Sequence, residues 1–96
     1  MRGGIVTSAA HLSRMDEIQQ TFRIKFNAYT TREARYDAAR VGFSCDADLI
    51  SVERGAFPGS FFATLDADAG FPSRVAIFVE KRRWMNLELV PEETSP

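Results

Sequence analysis

Thr21-Phe22-Arg23-Ile24-Lys25-Phe26-Asn27-Ala28-Tyr29, running directly into Thr30-Thr31-Arg32-Glu33, is the stretch on which the fold turns. Phe22, Ile24, Phe26 and Ala28 alternate with Arg23, Lys25, Asn27 and Tyr29, the period of two that marks a half-buried strand. At Thr30 the pattern changes. Thr30 and Glu33 have capping-box spacing, in which a hydroxyl and a carboxylate satisfy amides at a helix start. Ala34, Ala38 and Val41 then share one helical face, and Gly42 is expected as the C-terminal cap. A strand followed by a helix lying on a sheet is the result.

Outward from this unit the signals are shorter. Leu49 to Glu53 and the Phe-rich Ser60 to Leu65 read as strands, separated by Gly55 and Pro58-Gly59. Ser73 to Glu80 also reads as a strand, because Val75, Ile77 and Val79 alternate, and Arg83 to Val90 as another. The expected fold is α+β, one helix on a mainly antiparallel sheet of four to five strands in the order βαββββ. Residues 1–20 lack a sustained pattern, residues 21–91 form the domain, and residues 92–96 are an acidic polar tail. Met15 is an alternative natural start to Met1. The expected core partners are Phe22, Phe26, Phe61, Leu65, Ile77 and Leu87.

Ninety-six residues, 45% of them hydrophobic, suit one folded domain with a modest core. The single cysteine, Cys45, excludes an intrachain disulfide and fits a reducing, cytoplasmic setting. No apolar run approaches the roughly 20 residues that span a bilayer. Net charge is −1, but residues 1–44 carry seven Arg/Lys against four Asp/Glu, and residues 45–96 five against nine. That imbalance acts only if folding gathers it into patches.

Catalytic signals are weak. His11 and Cys45 lie far apart in sequence with no orienting group, and Asp46 disfavours a thiolate. Asp46/Asp48 and Asp66/Asp68 are matching Asp-x-Asp elements, whose oxygens suit Ca²⁺ or Mg²⁺ but which also serve as ordinary turn caps. No phosphate-binding glycine loop or zinc-ligand set is present. The expectation is a non-enzyme without metal or cofactor.

Recognition surfaces carry more. Arg32, Tyr36 and Arg40 are spaced four apart, opposite the alanine stripe. A tyrosine between arginines suits contact with an acidic partner or a nucleic-acid backbone. The plainer reading is a solvated face on which the arginine stems cover Tyr36. Tyr29, Phe62, Phe78 and Trp84 are expected on the sheet face away from the helix, an apolar patch suited to a protein partner or a homodimer. Lys81, Arg82 and Arg83 beside Trp84, together with Arg23 and Lys25, form the alternative, a basic-aromatic patch for nucleic acid. In size and style the chain is similar to many phage-encoded inhibitors of host machinery, including anti-CRISPR proteins; no defined stretch carries that likeness. The expected function is a small non-catalytic protein-binding module, an inhibitor or adaptor acting on a larger complex. A nucleic-acid-binding regulator is the alternative, distinguished by steep loss of affinity with salt.

Overall fold

The computed structural model describes residues 19–82 and 86–91. Strand β1 (Gln20–Asn27) leads into helix α1 (Thr31–Ser44), β2 (Asp48–Arg54), β3 (Ser60–Ala67), α2 (Phe71–Lys81) and β4 (Leu87–Val90). The sheet has the order β2-β3-β1-β4, every neighbouring pair antiparallel. Each helix therefore links two parallel strands with one antiparallel strand between them, the split βαβ unit used twice. The α+β class and the four-stranded antiparallel sheet match the sequence reading. The element order is βαββαβ, with a second helix where one strand was expected.

That second helix corrects the reading of Ser73 to Glu80. Val75, Ile77 and Val79 do alternate, but the buried residues of α2 are Phe71, Val75 and Phe78, spaced i, i+4 and i+7. Gly70 precedes the helix and Pro72 sits in its first turn, where a missing N–H costs nothing. The face assignments exchange accordingly. Ile77, expected inside, is 53% exposed; Phe78, expected on the outer face, is only 5% exposed. The two largest side chains of α2 thus join a core whose large side chains the sequence assigned to strands alone.

Both helices pack on one side of the sheet around one cluster. Ile24 and Phe26 of β1, Phe61, Ala63, Leu65 and Ala67 of β3, and Leu87 of β4 meet Ala34, Ala38 and Val41 of α1 and Phe71, Val75 and Phe78 of α2. Phe22 is half-buried, its ring 5.1 Å from that of Phe71. Burying each large apolar side chain contributes about 1.5–3 kcal/mol, against the entropy of ordering the chain.

Helix α1 starts as expected. The Thr30 hydroxyl accepts from the Glu33 N–H at 3.0 Å, and the Glu33 carboxylate accepts from the Tyr29 N–H at 2.6 Å. Its other end differs. The helix runs past Gly42 to Ser44, with Cys45 as the cap. Gly42 is needed for close approach, since an added Cβ would lie 3.1 Å from the Ala47 carbonyl oxygen. Across the sheet, Gly59 adopts φ +85° in the β2–β3 turn, a conformation that favours glycine.

Candidate functional site

The sheet face turned away from the helices is polar. Alternation places Thr21, Arg23, Lys25 and Asn27 of β1 there, beside Phe62, Thr64 and Asp66 of β3 and Glu88 of β4. Phe62 is the one ring on this face among the described residues, and it is half-buried with the Arg23 guanidinium 4.5 Å above it. Lys25 stands between Phe62 and Glu88, an opposite-charge cross-strand pair with the latter. The aromatic outer face expected from sequence is therefore not assembled. Phe78 is in the core, Tyr29 lies beyond the end of β1, and Trp84 lies outside the described residues.

The basic cluster is likewise divided. Lys81 is the last residue of α2 and Arg82 its cap, with the Arg82 guanidinium 4.4 Å from the Phe78 ring. Arg83 lies outside the described residues. Arg23 and Lys25 occupy the sheet face opposite α2, so the four described cations form no common patch.

Of the two Asp-x-Asp elements, the second makes the side-chain contacts. Asp48 and Asp66 are cross-strand partners, and Asp66 accepts from the Thr21 hydroxyl at 2.9 Å. Asp68 accepts from the Gly70 N–H at 2.7 Å and pairs with Arg74 at 2.9 Å. Arg74 also donates to the Cys45 carbonyl at 2.8 Å, which ties the loop after α1 to the loop before α2. The Arg74 and Gly70 bonds hold the Asp68 carboxyl below its ordinary value. Among the described residues no group of three or more His, Cys, Asp or Glu side chains is placed to hold a metal ion. The Cys45 thiol is buried, and desolvation pushes its pKa up against the opposing charges of Arg74 and Arg82. His11 lies outside the described residues.

What stands out is the solvent side of α1. At 100° per residue, Tyr36 lies about 200° from both Ala34 and Ala38, diametrically opposite the buried stripe. Tyr36 is 64% exposed and Phe43, two turns further on, is 91% exposed. Arg32, Ala39 and Arg40 fall on the same ridge, and the Arg40 guanidinium lies 5.7 Å from the Tyr36 ring. The Arg32/Tyr36/Arg40 stripe is thus assembled as expected and continues into Phe43. Phe43 was legible in the sequence, seven residues after Tyr36 and on the same face, but it was masked by its neighbour Gly42, read as the helix end.

Two depressions flank these elements. A cleft of about 590 Å³ lies between the start of α1 and the β2–β3 turn, lined by Tyr29, Glu33, Asp37, Pro58 and Asn86 among others. Tyr29 is 96% exposed at its mouth. Burial first, and Glu33 second, push the Asp37 carboxyl above its ordinary value, with Arg40 opposing. The second is an apolar groove of about 520 Å³ between α2 and β4, lined by Pro72, Val75, Ile77, Val79, Leu87 and Leu89.

Compared with family models, curated proteins and solved structures, the chain matches none of them. Among the described residues, no helix is long and apolar enough to cross a membrane.

Proposed function

We propose that this protein is a non-catalytic protein-binding module, an inhibitor or adaptor that acts by covering part of a larger partner. One observation carries the reading: two large aromatic side chains, Tyr36 and Phe43, project from the solvent side of a helix whose opposite side fully supplies its packing. Tyr, Phe and Arg are the residue types enriched at protein contacts, and exposed aromatics on one ridge are unusual on a surface with no partner. The nucleic-acid alternative is the weaker reading, because Arg23 and Arg82, which it would join in one patch, lie on opposite sides of the sheet.

Capture of partners from source-cell lysate, with and without nuclease, tests this reading. A protein partner that survives nuclease and 0.5 M salt (roughly a 4 Å screening length) supports it. Loss of every partner on nuclease treatment contradicts it and favours the phosphate-contact alternative.

A further inference from the structure

We infer that the chain's own N-terminal segment, residues 5–18, docks in the apolar groove between α2 and β4. The groove holds about 520 Å³ and is walled by Pro72, Val75, Ile77, Val79, Leu87 and Leu89. Ile77 is 53% exposed in it, and Val79 and Leu89 are only half-buried. Apolar surface on this scale gains from being covered. Strand β4 leaves room for a cover, because it is an edge strand of four residues that pairs with β1 only from Arg23 to Phe26. Gln20, Thr21 and Phe22 run past its end and pair with β3 alone.

Three features select this occupant, which lies outside the described residues. The first is where the chain enters. The Phe22 ring lies 5.1 Å from that of Phe71, the residue before Pro72, so residues ahead of Gln20 arrive at the Pro72 end of the groove. From Pro72 to Glu80 the groove follows α2 for about 12 Å. Leu12 precedes Phe22 by ten residues, a reach of up to about 33 Å, so the segment spans the groove. The second feature is composition. Residues 5–18 supply Ile5, Val6, Leu12, Met15 and Ile18. The C-terminal tail also leaves from this side, after Val90, but its Glu92 and Glu93 would lose their hydration in an apolar groove. The third is the tether itself. Covalent attachment through a short link supplies the segment at an effective concentration on the order of millimolar, against which a free partner must compete.

The test places a p-benzoylphenylalanine photocrosslinker, in the full chain, at Ile77 in the groove or at Glu53 on β2. Purified ¹⁵N-labelled and unlabelled chains are mixed in equal amounts and irradiated, and the crosslinked peptides are sequenced by mass spectrometry. The expected result is an adduct from the Ile77 probe on residues 5–18 of the same chain, with no mixing of isotopes. The Glu53 probe should give about ten-fold less of it. Leu12→Asp/Met15→Asp should then lower the Ile77 yield about ten-fold or more, since carboxylates replace the buried apolar groups. A probe at Ala76, exposed in the same groove, gives the same adduct should the Ile77 variant shift the melting temperature. Adducts that mix isotopes assign the groove to a second copy and overturn the inference. So do equal yields from the Ile77 and Glu53 probes, a yield that the double aspartate variant leaves unchanged, and the absence of any adduct on residues 5–18. Irradiation in cells that yields an adduct from Ile77 on another protein, in place of the chain's own segment, also overturns it.

Discussion

The two helices do the same topological job with opposite use of their side chains. Helix α1 meets the sheet through Ala34, Ala38, Val41 and Gly42 and turns Tyr36 and Phe43 outward; α2 meets it through Phe71, Val75 and Phe78. Small inward residues let α1 lie close to the strands, where a Cβ added at Gly42 would lie 3.6 Å from the Leu65 side chain of β3. Large inward residues make α2 a source of core volume. The difference teaches where stability and recognition reside: truncating rings on α2 empties the core, whereas truncating rings on α1 leaves the core intact.

Substitutions break or sharpen that contrast in a graded order. Phe71→Ala should cost about 3–5 kcal/mol, enough to unfold much of a domain this size, read by urea denaturation. Enlarging α1 on its inner face destabilises by overpacking instead of by a cavity. Ala38→Leu forces methylenes against the sheet and should cost about 1–3 kcal/mol; no loss would mean that α1 is not closely seated. Arg74→Ala releases the two loops joined through Asp68 and Cys45. The lost hydrogen bond to the Cys45 carbonyl alone should cost about 0.5–1.5 kcal/mol in the same denaturation experiment. Its pH signature is directional. The folded-state pKa of Asp68 is depressed, so its contribution is present above the ordinary carboxylate value and lost as pH falls through the lowered one. Acid titration of the melting temperature should show that loss in the native chain and a smaller one in Arg74→Ala. The smallest effect concerns Asp37, whose raised pKa means that folding favours its protonated form. Stability from this group falls as pH rises through the carboxylate range. Asp37→Asn removes the like-charge pair with Glu33 and should stabilise at neutral pH by about 0.2–0.5 kcal/mol, measured by thermal denaturation.

The same contrast explains what the sequence disclosed. Helix α1 was legible because its cap residues, Thr30 and Glu33, and its alanine stripe point to one answer, and β1 because polar and apolar residues alternate without a break. The ridge followed from α1, since fixing the buried stripe fixes the opposite side. Helix α2 was not legible by alternation: Val75, Ile77 and Val79 imitate a strand, and the signals that decide against one are Phe71-Pro72 at the start and Phe78 three residues after Val75. That single exchange of period turned Phe78 inward and Ile77 outward, and with it removed the aromatic outer face. Cross-strand geometry was beyond local pattern as well. Only the register sets Arg23 over Phe62 and Lys25 beside Glu88, which makes the open sheet face polar.

The most direct measurement pairs stability with binding in the double variant Tyr36→Ala/Phe43→Ala. Its urea midpoint should stay within experimental error of the parent chain, while retention of a nuclease-resistant protein partner falls about ten-fold or more. Retention at the parental level, with the fold intact, would contradict the assignment of α1 as the contact surface.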